Sequence, residues 1–218
     1  MRTRTLKIHS ASASVTGKVV GEAGALGVLL AHGAGAGQLH PWMVTMRTAL
    51  VAQGLFVMTF NYRYTEFERR RPDSPRVLLD VHEAAAARLL EYCDRVVLAG
   101  KSMGGRMGSH LVAERGVDPT ALIYYGYPLV PLGKGEPRST AHLEEIGAPQ
   151  LFFAGARDRL SPPDLIGTRA ARLPSADVVV VPDADHSFRV PKRAARTDEA
   201  VLTDIAANSA RWLHKAGG

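Results

Sequence analysis

Ser102 lies in the run LAGKSMGGR, residues 98–106, with a glycine two positions before it and another two positions after it. Gly100-Lys101-Ser102-Met103-Gly104 reads as G-x-S-x-G, a sharp strand-to-helix turn that exposes a serine hydroxyl and needs small neighbours where the chains pass. A serine hydroxyl is a weak nucleophile at neutral pH. It needs a base to take its proton and a third group to orient that base. On such a turn the partners follow in the order Ser, Asp/Glu, His. Three histidines lie beyond the helix that Ser102 begins. His142 precedes the penultimate strand-like run, and His214 falls in the terminal helical segment. His186, in PDADHSF, follows the last strand-like run and is the candidate base. Asp158, in QLFFAGARDRLSPP, is the candidate acid, although aspartate also suits the cap of the helix expected after it. Asp183 is its rival, while Asp185 is too close to His186 in the chain to face its ring readily.

Acyl transfer at such a serine creates an oxyanion that needs preorganised N–H donors. One expected donor is the backbone N–H of Met103, directly after the nucleophile. The second comes from the glycine-rich loop AHGAGAGQLHP, residues 31–41, where Ala34 is the candidate. His32 reads as a brace for this loop, and His40 as a surface or pocket-lining residue. The same glycines superficially suit a dinucleotide. However, that fingerprint requires an acidic residue at the end of the next strand, and that strand ends in FNYRY.

The elements that must position these groups are visible as alternation. Short apolar runs at 26–33, 55–62, 95–100, 121–127, 150–158 and 177–186 read as strands buried on both faces. Helix-like segments fall between and after them at 41–53, 75–92, 102–115, 163–172 and 198–214. The pattern predicts an α/β fold, a mostly parallel sheet with helices on both faces. The first 25 residues or so read as one or two edge strands, which could run antiparallel. In such a sheet ligands sit beyond the carboxyl ends of the strands, which is where Ser102, Asp158, His186 and Ala34 all fall.

Composition bounds the rest. The 218 residues suit one domain spanning 1–218. A single cysteine, Cys93, excludes an internal disulfide. No apolar run approaches the ~20 residues of a membrane span, and the N-terminal stretch lacks the apolar core of a secretory signal. A cytoplasmic location and no membrane partner are therefore expected. The net charge of +6 invites a nucleic-acid reading. Apart from the clusters at 69–71 and 192–196 the basic residues are scattered, and no zinc-finger spacing or RNP-like aromatic run accompanies them, so no nucleic-acid partner is expected.

With HGAGAG, FNYRYTEFERRRPDSP, GKSMGGRM and GARD…DADHSF in view, the chain resembles the α/β-hydrolase superfamily along essentially its whole length. Within it, the chain looks like the small cap-less group that is dienelactone-hydrolase-like and includes testis-expressed-protein-thirty-like sequences. The resemblance implies a Ser-His-Asp hydrolase of ester-like bonds with no metal or organic cofactor. Dienelactone hydrolases themselves use cysteine as nucleophile, so their substrate does not carry over to a chain with Ser102. A thioesterase, a peptidase or a scaffold that keeps only the fold shares the same signature. Only about twenty residues separate the strand ending in YYGYP from QLFFAG, too few for a substantial lid. An open site and a small, soluble, ester-like substrate are expected, with the oligomeric state left open. Arg63, Arg69, Arg70 and Arg71, beyond another strand end, are candidates to hold a substrate carboxylate.

Overall fold

The computed structural model describes residues 3–133 and 135–216; Met1, Arg2, Lys134, Gly217 and Gly218 lie outside the described residues. In chain order the elements are β1 (Arg4–His9), β2 (Ser14–Val20), β3 (Leu26–Ala31), α1 (Pro41–Ala52), β4 (Phe56–Phe60), α2 (Arg63–Glu66), α3 (Pro75–Leu90), β5 (Arg95–Lys101), α4 (Met103–Arg115), β6 (Ala121–Tyr125), α5 (Ala141–Glu144), β7 (Gln150–Gly155), α6 (Pro163–Ala170), β8 (Ala176–Val181) and α7 (Asp198–Ala216). They build one eight-stranded sheet in the order β1-β2-β4-β3-β5-β6-β7-β8. From β4 to β8 every neighbouring pair is parallel, and β1 and β2 form an antiparallel edge. This is the α/β-hydrolase architecture expected from the sequence.

The continuous apolar runs are explained by helices on both faces. Along β5, Val96 and Leu98 join a core with Leu78, Leu89, Met107 and Leu111 of α3 and α4. Their neighbours Val97 and Ala99 face the other way, into a core with Met46 and Leu50 of α1 and Ile205 of α7. Period-two alternation thus feeds two cores from a run with no polar face. The last strand departs from the expectation of burial on both faces. β8 is the sheet edge, only Val181 on it is buried, and Val180 is 47% exposed. With a strand neighbour on one side only, it leaves part of its apolar surface uncovered.

All parallel strands end on one rim, and two close backbone approaches fix what emerges there. At the end of β7, the N–H of Ala156 bonds to Val181 and that of Arg157 to Ala184. A Cβ on Gly155 would lie 2.4 Å from the Ala184 carbonyl oxygen. The turn carrying Asp158 and the loop carrying His186 are therefore locked backbone to backbone. Between β6 and β7, the described part of the connection contains only the four-residue α5, so no substantial lid covers the rim. Among the described residues no helix is long and apolar enough to cross a membrane.

Gly155→Ala is expected to destabilise the protein by about 2–3 kcal/mol, because a methyl must displace backbone rather than a flexible side chain. Gly24→Ala, at a site with open space around it, is expected to stay within about 0.5 kcal/mol of the parent. Urea unfolding of the two variants checks the contrast.

Candidate active site

The turn at Ser102 is strained in the way the glycine spacing predicts. Ser102 adopts φ 49° and ψ −115°, and its N–H bonds to the Tyr125 carbonyl at 3.0 Å. A non-glycine residue held there costs about 1–3 kcal/mol. The chain tolerates the turn because side chains are missing where it folds back. A Cβ on Gly100 would sit 2.2 Å from the N of Gly105, and one on Gly104 would sit 2.5 Å from the carbonyl oxygen of Ala31. α4 can therefore start hard against the end of β3, and Ser102 stands at its N-terminus.

His186 joins the two other groups. Its Nε2 is 2.9 Å from Ser102 Oγ, and its Nδ1 is 2.8 Å from Asp158 Oδ2. The Asp158 side chain is wholly buried, whereas the imidazole is 23% exposed. Burial pushes the Asp158 carboxyl toward its neutral form. The contacts with His186 and the N–H groups of Leu160 and Ser161, at 2.8 and 2.9 Å on Oδ1, outweigh this and hold it below the usual carboxylate range. Asp158 is therefore an anion fixed against Nδ1, the arrangement that orients an imidazole with Nε2 toward a hydroxyl.

The rivals Asp183 and Asp185 make other contacts. The backbone carbonyl of Asp183, at φ 58°, accepts from Arg157 Nε at 2.8 Å. Asp185 Oδ1 accepts the N–H groups of Ser187 and Arg189. His142 lies apart, bonded to Ser109 and stacked on His110, and His214 is exposed.

The loop after β3 lies against the same serine. A Cβ on Gly33 would be 3.6 Å from Ser102 Cβ, and Ala34 lines the cavity that Ser102 and His186 also line. Ala36 N bonds to Gly33 O across a turn with Gly35 at φ 73°. Among the described residues, neither the Ala34 nor the Met103 N–H has a partner in the protein. His32 braces the loop, with Nδ1 at 2.9 Å from Gly33 O and Nε2 accepting the N–H of Tyr62. Burial lowers its pKa to about 4, which keeps it neutral and suited to accept at Nε2.

The cavity measures about 600 Å³, within the range of small-ligand sites. His40 lines it and caps α1 by accepting the N–H of Trp42. The arginines expected to reach it do not line it. Arg63 and Arg69 both pair with Asp73, at 3.3 and 2.6 Å. Arg70 lines a neighbouring depression, and Arg71 is exposed outside both. Asp73 holds Arg63 and Arg69 away from the serine.

Two features were not singled out from the sequence. Gly126, at φ 71°, leaves room over the imidazole, since a Cβ there would be 3.3 Å from both Asp158 Oδ2 and His186 Nδ1. Lys101, read only as a spacer in the serine turn, is a buried lysine that lines the cavity. Strand alternation was the available signal, because Val97, Ala99 and Lys101 occupy the same side of β5. Among the described residues no three His, Cys, Asp or Glu side chains form a group that could hold a metal ion.

A family model described as an alpha/beta hydrolase domain matches residues 25–214. No curated protein matches the chain. Solved structures align across nearly its full length. An alpha-beta serine hydrolase homologue from Coxiella burnetii aligns with a TM-score of 0.76 and 18% identity, covering 96% of this chain and 97% of its own. Dienelactone hydrolase from Anabaena variabilis gives 0.74 at 20% identity, with 98% and 97% covered. A serine hydrolase without a lid from Xanthomonas campestris gives 0.71 at 18%, with 98% and 93% covered. At these identities the likeness is one of fold.

Burial lowers the Lys101 ammonium from 10.5 to about 8 against the opposing pull of Asp158 and Asp185. An ammonium held below its unfolded value destabilises the fold wherever it is charged. Lys101→Met is therefore expected to raise Tm by several degrees at pH 7. The gain should be constant below pH 8 and shrink between about 8 and 10.5. Calorimetry across that range checks it; a lower Tm at pH 7 would mean that the charge is compensated in the folded protein.

Proposed function

The chain belongs to the alpha/beta hydrolase domain family, and from that premise we propose that it is a single-domain serine hydrolase of ester-type bonds, with Ser102 as nucleophile, His186 as base and Asp158 as the orienting acid. The observation that carries this reading is one imidazole shared between a hydroxyl at 2.9 Å and a buried carboxylate at 2.8 Å.

The steps follow from the geometry. His186 Nε2 takes the Ser102 proton as Oγ attacks the substrate carbonyl. Asp158, held anionic, stabilises the imidazolium that forms. The N–H groups of Met103 and Ala34 receive the oxyanion, and the N-terminus of α4 adds its favourable dipole. Collapse of the tetrahedral intermediate breaks the ester C–O bond, and the imidazolium gives its proton to the departing alkoxide. Water then enters, and His186 takes one of its protons as the remaining hydroxide attacks the acyl carbon. Collapse of this second intermediate breaks the C–Oγ bond, the imidazolium returning its proton to Ser102 Oγ as the acid leaves. The absence of a substantial lid and the size of the cavity favour a short, small-molecule ester over a long acyl chain.

Ser102→Ala is expected to lower kcat on a short 4-nitrophenyl ester by about ten-thousand-fold or more, since members of such a triad act as a unit. A fluorophosphonate should label the wild-type protein on the tryptic peptide carrying residue 102 and leave the variant unlabelled. A folded Ser102→Ala protein with parental turnover would remove the assignment. A panel of matched esters, thioesters and amides then reads out which bond is cleaved fastest.

A further inference from the structure

The cavity beside Ser102 holds a charge that the proposed triad does not use. Lys101 is only 8% exposed. Its Nζ is fully buried and has no hydrogen-bond partner among the described residues, and the same is true of Trp42 Nε1. The ammonium lies 6.0 Å from the Trp42 ring centroid and 5.8 Å from that of Phe188. Both are at the outer edge of the range in which a ring face attracts a cation. Lys101 and Trp42 also line the same cavity as Ser102 and His186. Two neighbouring donors, one of them charged, thus lack an acceptor next to the candidate nucleophile.

The other charged groups do not supply that acceptor. Asp158 and Asp185 are near enough to pull the lysine toward its charged form, but their hydrogen bonds go to His186 and to backbone N–H groups. Asp198 and Glu199, at the start of α7, line the cavity from an exposed position, and Asp198 Oδ1 accepts the N–H of Val190. Arg189 and His40 are exposed, so Lys101 is the buried cation among the lining residues.

Resting on the reading of Ser102 as nucleophile, we propose that Lys101 and Trp42 receive an anionic group of the substrate, so that the preferred ester carries a carboxylate on its acyl or alcohol part. A carboxylate offers two oxygens to the ammonium and the indole N–H, and a charge-assisted bond is the stronger kind. The flexible four-carbon stem of lysine lets the ammonium turn from beneath the cavity floor to an entering anion. A neutral ester leaves the buried charge uncompensated, and discrimination between the two substrates follows from that difference.

Binding can be read without turnover, on the Ser102→Ala protein. The indole N–H resonances are followed by NMR, with the Trp42 signal identified by its loss in Trp42→Phe, while monomethyl succinate or dimethyl succinate is titrated. The monoacid is expected to bind about tenfold or more tightly, as one charge-assisted hydrogen bond would give, and to shift the Trp42 signal. The preference should disappear with Lys101→Met, persist with Lys101→Arg, and weaken as pH rises through about 8, where the ammonium loses its proton. Equal affinities for the two esters, or a preference that survives Lys101→Met, would overturn the site.

Two kinetic pairs locate the anion on the substrate: 4-nitrophenyl hemisuccinate against 4-nitrophenyl pentanoate for the acyl side, and 4-acetoxybenzoate against its methyl ester for the alcohol side. A wild-type preference in either pair that Lys101→Met abolishes supports the proposal; no preference in either overturns it. Turnover without discrimination would sink the anion site alone. Discrimination in binding with no turnover and no fluorophosphonate labelling would sink the hydrolase reading and leave the site standing.

Discussion

The structure depends on a backbone turn that only missing side chains permit. β5 runs up the centre of the sheet, reverses at Ser102 and enters α4 so closely that Gly100 and Gly105 touch backbone to backbone, while Gly104 abuts the end of β3. That approach does three things at once. It lifts the serine clear of the sheet at the rim, it leaves the Met103 N–H without a helical partner, and it presses the 33–36 loop against Ser102. The strain at φ 49° persists because the parallel pairing of β5 with β3 and β6 over-determines its position. His186 and Asp158 are then brought to the same rim by the backbone lock at Gly155.

Two buried charges show how differently the fold treats its polar groups. Asp158 is satisfied on both oxygens, by two N–H groups and an imidazole, so its burial serves to fix the ring. Lys101 is buried nearly as completely, and among the described residues its Nζ has no hydrogen-bond partner. A buried charge without a partner is among the more destabilising features a protein can carry. Val97 and Ala99, on the same side of β5, are small apolar residues. A local rule broken without structural return points to a site under functional constraint.

Much of this was legible in the sequence, because the decisive signals are local. Apolar runs, glycine spacing and chain order placed Ser102, Asp158 and His186 at strand ends that a parallel sheet must gather on one rim. The edge position of β8 was not legible, because VVVV reads the same whether one face or two are covered. The short helices α2 and α5 were missed for a related reason, as four residues carry no periodicity. Arg63 and Arg69 do not line the cavity because a side chain several bonds long follows its nearest counter-charge, here Asp73, and sequence spacing does not reveal which way it turns. Arg70 and Arg71 lie outside the cavity without that pairing among the described residues. Gly126 reads as any turn glycine until the imidazole beneath it is placed.

Lys101 joins these threads, because its position is set by the same turn as the serine. Residues i and i+1 on a strand point to opposite faces, so at the end of β5 the side chain before the nucleophile must dive toward α1 and α7 while the strained turn brings Ser102 up to the rim. The backbone of residue 101 is therefore fixed beside the nucleophile, with its side chain on the side of Trp42 and Phe188. A cation there gains strength from low dielectric. The constraint that makes the serine reachable thus also makes the neighbouring position a natural place from which to read substrate charge.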